Sequence, residues 1–366
     1  MHFDGETPAC RHGSAHSILE IVWFTDRQLV TLSTDFATTT HDPGRGSKLT
    51  HMIPSTSLPD FLLRGAHPRR RLLEAGVTAD DLAGPLWEQT NRGLWAWAVN
   101  EGGPDERVRR AAAIVPQGAV SGWAAARIWG AHDLDGEQAD GKPLPVPLTI
   151  PPGLVCRRRR GVTVLRSKCA PDDLTECAGI VVTAPLRTAF DLARLARDVP
   201  EGVVSVDALL RAVEIDPQAL DEYVLRHGRF RGVPRAREVI RLVDKRSKSC
   251  PETRMRLLWV LDAGLPPPLV NVRVTHDDGY LLAEVDLLGA EAGLVGEYDG
   301  WHHASAERRA ADSQRQEAME AAGLLTIRLT APDLTRHRRR SIYRLRRLHG
   351  QGLARDRSRD RWAVLP

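Results

Sequence analysis

Apolar and polar positions divide the chain after its first 57 residues into short helices and short strands. Leu62, Leu63, Leu72 and Leu73 lie in helical stretches, and large and small residues then alternate like a strand over 94–98, after a glycine turn at Gly93. Thr78 is placed to cap the second helix, because its hydroxyl can accept an unpaired backbone N–H. Two helices followed by a hairpin predict a winged helix-like domain over residues 58–102, a unit that reads DNA. A helical subdomain without a DNA role is the alternative.

The next stretch mixes short strands with helices. Strands are predicted at 146–150, 162–166 and 180–183, and Pro185 is placed to open a helix after the last of them. These elements predict an α+β middle domain over residues 103–200.

Helices are predicted within this domain and directly after it. Ser121 is expected to cap an apolar helix near the start of the middle domain. Three short helices are predicted within 203–244, and we expect them to form a helical connector over 201–246 that packs onto the last domain. Arg187 and Asp191 are four residues apart on one predicted helix, which favours a structural ion pair.

The last third of the chain predicts a different order of elements. Residues 247–335 follow the order helix, three antiparallel strands, helix, strand, which is that of the PD-(D/E)xK nuclease core. A basic helix and tail are predicted over 336–366, and a flexible extension over 1–57. The fold class predicted for the whole chain is therefore α+β, with an N-terminal winged helix-like domain and a C-terminal restriction-endonuclease-like core.

Four carboxylates fall where this core would need them. Glu252 lies in the first helix, Asp286 in the second strand and Glu297 near the end of the third, with Asp299 on the same face two residues later. Hard oxygen ligands suit Mg²⁺ or Mn²⁺, and such an ion can activate water for phosphodiester hydrolysis. We therefore predict a metal site between Asp286 and Glu297, with Glu252 as a further ligand. An ordinary first-turn glutamate is the alternative for Glu252.

The motifs around these carboxylates resemble a domain of unknown function related to very-short-patch-repair endonucleases. They are Ser249-Cys250-Pro251-Glu252-Thr253, Glu284-Val285-Asp286-Leu287 and Glu297-Tyr298-Asp299-Gly300-Trp301-His302-His303, with Asp312, Arg315, Gly323 and Arg328 beyond them. The resemblance covers about residues 247–335. It implies a metal-dependent DNA endonuclease that uses the four carboxylates.

One departure from the nuclease pattern concerns the general acid or base. Asp299 stands where the wider superfamily has a lysine, and the chain has no lysine after Lys248. Repair-type relatives lack that lysine as well and use histidine, so the resemblance makes His303 the candidate general acid or base, with His302 as the second choice. A histidine that only satisfies a backbone carbonyl is the alternative.

A second resemblance lies upstream. Residues 124–130 (Ala-Ala-Ala-Arg-Ile-Trp-Gly) and 182–193 (Val-Thr-Ala-Pro-Leu-Arg-Thr-Ala-Phe-Asp-Leu-Ala) are similar to abortive-infection type IV antitoxins, in an arrangement common in actinobacterial proteins. This resemblance covers roughly residues 58–200. It implies an antitoxin-like protein and leaves a toxin as a partner of unknown identity.

Charge is distributed unevenly along the chain. Residues 331–366 hold eleven arginines against three aspartates, whereas Glu252–Gly300 holds nine carboxylates against three arginines. An acidic segment followed by a basic one suits a cation site beside a polyanion, and a solvated surface is the alternative. The run 157–160 of four arginines is predicted to be a solvated turn, and a phosphate contact is the alternative. The predicted DNA contacts are Arg315, Arg339, Arg340, Arg344 and Arg347.

Composition excludes several other classes of protein. No stretch approaches the roughly 20 apolar residues of a membrane span, and the first 50 residues lack the pattern of a secretory signal. Five scattered cysteines without Cys-x-x-Cys spacing predict reduced thiols. We expect a cytoplasmic DNA-binding protein with an endonuclease-like domain, bound to DNA and to no membrane, with homodimerisation left open. The rival hypothesis is a non-catalytic, antitoxin-like or transcriptional regulatory protein with a degenerate nuclease fold.

Overall fold

The computed structural model describes residues 59–98, 102–138, 140–300 and 306–365. These residues form a mixed α+β structure with one three-stranded and two five-stranded sheets. The predicted extension over 1–57 lies outside the described residues. The described helices are α1 (Arg69–Glu74), α2 (Ala79–Ala83), α3 (Pro104–Ile114), α4 (Gly122–Ile128), α5 (Pro185–Leu195), α6 (Val199–Ala212), α7 (Pro217–Arg226), α8 (Val233–Ile240), α9 (Cys250–Leu257), α10 (Ala306–Ala321), α11 (Ala331–Leu334) and α12 (Arg338–Leu353).

The strands also follow in chain order. They are β1 (His67–Pro68), β2 (Trp87–Asn91), β3 (Leu94–Trp97), β4 (Ala119–Val120), β5 (Val146–Ile150), β6 (Val162–Arg166), β7 (Leu174–Cys177), β8 (Ile180–Thr183), β9 (Leu269–His276), β10 (Leu281–Gly289), β11 (Leu294–Tyr298), β12 (Leu325–Leu329) and β13 (Trp362–Val364).

The first unit joins a short 3-10 turn and two helices to an antiparallel sheet in the order β1-β3-β2. The predicted helices and hairpin are confirmed, and so is the cap: the Thr78 hydroxyl accepts from the N–H of Asp81, and the Asp81 carboxylate accepts from the N–H of Thr78. Trp87 and Trp97 pack edge to face at 5.3 Å across the hairpin and close the core of this unit.

The second sheet has the order β6-β5-β4-β8-β7, and α3 and α4 pack against it. The strands predicted at 146–150, 162–166 and 180–183 are confirmed with those bounds. Ser121 does precede α4, but its side chain makes no capping hydrogen bond, and the buried hydroxyl has no partner. The predicted cap is therefore wrong, and the N–H of Ser121 instead bonds to the carbonyl of Pro147 on β5.

The three predicted connector helices, α6 to α8, surround α5 in one apolar core. Phe190 of α5 packs with Leu209, Tyr223 and Val239, one residue from each of the three helices. As expected, these helices also pack onto the last domain, because Asp207 of α6 accepts hydrogen bonds from Thr253 and Arg256 of α9. Helix α9 joins the same core through Leu257.

The third sheet has the order β12-β11-β10-β9-β13, in which β12 runs parallel to β11 and the other pairs are antiparallel. Helices α9 and α12 cover one face, where Met255 and Leu345 pack with Leu287. Helix α10 covers the other face, where Met319 packs with Val295. The end of the predicted basic tail is strand β13, which hydrogen-bonds to β9 as an edge strand of this sheet.

Among the described helices, none combines the length and the apolarity needed to cross a lipid bilayer.

Candidate functional site

Asp286 lies at the centre of the predicted carboxylate cluster. Leu287 of β10 faces Gly296 of β11, so the next antiparallel pair in register is Asp286 and Glu297, whose side chains share one face of the sheet. One oxygen of Asp286 accepts a hydrogen bond of 2.8 Å from the N–H of Tyr298. Burial raises the pKa of Asp286 to about 6, and the negative charges of Glu252 and Glu297 add to this effect.

Glu297 is buried and held by two arginines. Arg315 of α10 donates to both carboxylate oxygens, at 2.7 and 3.3 Å, and Arg328 donates from β12 at 3.2 Å. The parallel pairing of β11 with β12 places Arg328 directly beside Glu297. Both oxygens that a metal ion would need are therefore occupied by guanidinium donors. Arg315, a predicted DNA contact, is turned towards this carboxylate.

Glu252 is fixed at the first turn of α9. Its carboxylate accepts from the N–H of Lys248 at 2.7 Å, from the Ser249 hydroxyl at 2.9 Å and from the Asn271 side-chain amide at 2.9 Å. Asn271 has a φ of 49°, a left-handed conformation that few residues other than glycine adopt, in the middle of β9. The strained asparagine thus ties the start of α9 to the sheet beside Asp286.

Asp299 stands apart from the other three carboxylates. It follows β11, its side chain is exposed, and its N–H bonds to the carbonyl of Leu329. Within the residues that the structure describes, no three of the four predicted carboxylates bring ligand atoms within 4.8 Å of one another. Lys248 forms an ion pair with Glu284 on β10. The structure therefore brings the charges of Glu252 and Glu297 close enough to Asp286 to raise its pKa, without a three-carboxylate cluster among the described residues.

The remaining predicted site residues have different positions. His303 lies outside the described residues, as do Trp301 and His302. Of the α12 arginines, Arg339, Arg340 and Arg347 are exposed, whereas Arg344 is half-buried and donates to the carbonyl of Arg328 at 3.4 Å.

Asn271 is the residue at this site that sequence reasoning missed. It stands between two valines in an apolar strand, where its role depends on a helix 19 residues earlier in the chain. The only signal in the sequence is that asparagine accepts positive φ more readily than most residues. That tendency does not identify what the side chain holds.

A second charged cluster, completely buried, joins the middle sheet to the helices. Arg187 donates to Asp191 at 2.8 Å, which confirms the predicted pair, and also to Asp173 at 3.1 Å. Asp191 accepts in addition from Arg194, and Asp173 accepts from the Tyr223 hydroxyl. Every buried charge here has an opposite partner, so this is a structural cluster that locks α5 and α7 to the loop before β7.

The middle part of the chain is similar to a known protein family. Residues 118–242 match the family described as the AbiEi antitoxin C-terminal domain. The predicted resemblance to antitoxins is thus confirmed in part: the match begins after the N-terminal unit that contains β1 to β3 and extends through the helices predicted as a connector. No solved structure matches the chain significantly.

Two curated relatives are 29% identical to this chain over 176 residues. Both are uncharacterized proteins of Mycobacterium tuberculosis, one from strain CDC 1551 / Oshkosh and one from strain ATCC 25618 / H37Rv. That alignment covers 48% of this chain, and the chain spans 64% of the length of these relatives. The buried Arg187 cluster and the sheet and helices around it therefore lie in a unit that is similar to the AbiEi antitoxin C-terminal domain.

Proposed function

We propose that this chain is an antitoxin-like, DNA-binding regulatory protein without catalytic activity. The observation that carries the proposal is the match of residues 118–242 to the AbiEi antitoxin C-terminal domain. The match covers the whole β4–β8 sheet and helices α4 to α8, so most of a folded unit supports the proposal rather than one motif. Beside DNA, the partner that we propose is a toxin protein.

We assign DNA recognition to the N-terminal unit on the basis of its fold. A turn, a strand, two helices and a hairpin, with the sheet order β1-β3-β2, support a winged helix-like assignment, in which the second helix and the wing would approach DNA. Helix α2 is here only five residues long and carries Asp80 and Asp81 without a basic residue. We therefore propose that this unit positions the protein and supplies little of its affinity.

We propose that the C-terminal sheet is a degenerate PD-(D/E)xK core, and its strand order β12-β11-β10-β9-β13, with helices on both faces, supports this proposal. The donor set does not fit a resident Mg²⁺ or Mn²⁺ ion, because both oxygens of Glu297 are taken by Arg315 and Arg328. Ion pairs of this kind neutralise the carboxylate that a metal would otherwise neutralise. We derive no hydrolytic step from this site.

Binding and cleavage assays on the full chain test the proposed function. We expect fluorescence anisotropy to detect binding to duplex DNA in the presence of EDTA, and we expect supercoiled plasmid to stay intact with Mg²⁺ or Mn²⁺. Absence of any DNA binding would contradict the proposal. Nicking that needs the metal and disappears in Asp286→Asn would contradict it as well.

Metal-dependent cleavage of DNA is the second candidate function. The observation that favours it is Asp286, whose second oxygen accepts no hydrogen bond from the described residues although its pKa is raised to about 6. Under this candidate, Mn²⁺ should raise the melting temperature of the wild type and leave that of Asp286→Asn unchanged. We expect no shift in either protein, and thermal denaturation with and without the ion distinguishes the two functions.

Asp286→Asn should raise the free energy of unfolding by about 1–2 kcal/mol at pH 8 and leave it nearly unchanged at pH 4. The folded chain raises the pKa of Asp286 from 3.8 to about 6, so the wild type gains stability at low pH and loses it as the pH rises through 6. Asp286 is partly exposed, so solvent screening keeps this change in the free energy of unfolding below that of a fully buried acid.

Urea denaturation at the two pH values measures this difference. Glu291→Gln is the control, because Glu291 is an exposed carboxylate on the turn between β10 and β11. The interpretation fails if Asp286→Asn destabilises the chain at pH 8.

A further inference from the structure

Helix α12 presents one basic face to solvent. Ser341, Leu345 and Gly352 are its buried residues, which sets the inward direction at 100° per residue. Arg336, just before the helix, and Arg339, Tyr343 and Arg347 fall on the opposite side. Arg340 flanks them, and the Tyr343 side chain is 68% exposed. We call Arg336, Arg339, Arg340 and Arg347 the arginine stripe.

The arginine stripe has no partner among the described residues, unlike its neighbours on α12. Arg338 pairs with Asp262, Arg346 donates to the carbonyls of Asp262 and Ala263, and Arg344 donates to that of Arg328. Among the described residues, the four stripe guanidinium groups form no ion pair and no hydrogen bond, and residues 334–355 contain no carboxylate. Four unneutralised cations therefore lie on one rigid surface, where they repel one another unless an anion binds.

The spacing of the arginine stripe suits a polyanion. At 1.5 Å per residue, Arg336 and Arg347 are about 16 Å apart along the axis, a length that passes about four or five phosphates of one DNA strand. Arginine binds phosphate through its planar donor fork, and a tyrosine hydroxyl can donate to phosphate as well. Helix α2, by contrast, would bring Asp80 and Asp81 towards the same phosphates.

From these observations we infer that the arginine stripe on α12, and not helix α2, is the main contact to the phosphate backbone of duplex DNA, with Tyr343 at its centre. The inference rests on the proposed DNA-binding function and names the surface that performs it. Contacts to phosphate alone carry no sequence information, so this surface binds duplexes of any sequence.

The experiment compares two variants with the same loss of charge. The stripe variant replaces Arg336, Arg339, Arg340 and Arg347 by glutamine, and the control variant replaces the four arginines of 157–160, on the loop between β5 and β6. Anisotropy with a fluorescein-labelled mixed-sequence duplex gives affinity as a function of salt concentration. Each lost phosphate contact should flatten the slope of log affinity against log salt by about 0.9.

For the stripe variant we expect a slope flattened by about 3 or more and, at about 0.1 M salt, at least a 100-fold loss of affinity. The control variant should retain a slope close to that of the wild type. All four side chains project into solvent, so we expect the melting temperature of the stripe variant to equal that of the wild type. An unchanged melting temperature shows that this variant is folded.

Other results overturn the inference in distinguishable ways. A stripe variant with the wild-type slope, or a larger loss in the control variant, overturns the assignment of the surface while DNA binding itself stands. If Tyr343→Ala weakens binding to a single-stranded oligonucleotide or RNA more than to the duplex, the duplex is the wrong occupant. If the wild type binds no duplex at all, the proposed function fails together with the inference.

Discussion

Arg187→Met should lower the free energy of unfolding by about 3–5 kcal/mol, the usual cost of removing one partner from a buried ion pair. The Arg187 side chain is 0% exposed, and its guanidinium contacts two carboxylates, the Ser167 hydroxyl and the carbonyl of Lys168. Methionine fills much of the same space without a donor. Asp191 then remains buried with Arg194 as its sole cationic partner.

Arg197→Met is the matched control. Arg197 and Asp198 are also 2.8 Å apart, but the arginine side chain is 80% exposed, so its removal should cost less than about 1 kcal/mol. Urea denaturation of both variants, monitored by circular dichroism, measures the difference. Equal effects would mean that burial does not determine the strength of these pairs, and a stable Arg187→Met would remove the structural role that we assign to the cluster.

Gly352→Ala should destabilise the C-terminal sheet by about 3 kcal/mol, at the upper end of the range for overpacked sites. A Cβ at Gly352 would lie 2.0 Å from the carbonyl oxygen of Ala292, so a side chain here pushes α12 away from the turn between β10 and β11. Because the closest atoms, the carbonyl oxygen and carbon of Ala292, belong to the backbone, no rotamer change relieves the clash.

Gly350→Ala should have the opposite effect. Gly350 lies on the same helix, and a Cβ there would meet nothing within 4 Å. Alanine is the better helix former, so this change should raise stability by about 0.5–1 kcal/mol. Thermal unfolding of the two variants gives the comparison. If both lower the stability, the helix tolerates no substitution and the close approach at Gly352 is not the cause.

Most of the local elements could be predicted because their determinants lie within a few residues. The Thr78 cap connects residues three apart, and the run of four β-branched residues from 180 to 183 forms one strand. The Arg187–Asp191 pair is likewise a contact between neighbours on one helix. Ser121 shows where this reasoning fails: the N-cap position is right, but tertiary packing buries the hydroxyl without a partner.

The candidate site was predicted as a set of residue types, and its chemistry depended on partners far away in the chain. The sequence places Asp286 and Glu297 on adjacent strands, and strand pairing does set them side by side. The sequence does not show that Glu297 accepts hydrogen bonds from guanidinium groups 18 and 31 residues later in the chain. Nor does it show that Glu252 accepts one from Asn271. Those contacts turn a predicted metal ligand into half of an ion pair.

The sequence by itself therefore determined where helices and strands form and which segments are acidic or basic, because periodicity, capping and charge act locally. Only the tertiary structure decided which charges are neutralised. The packing of α10 and the β11–β12 pairing bring Arg315 and Arg328 to Glu297, whereas α12 is oriented so that the arginine stripe has no partner in the part of the chain that the structure describes. The free energy of a charge depends on burial and on neighbours, and both are set by packing.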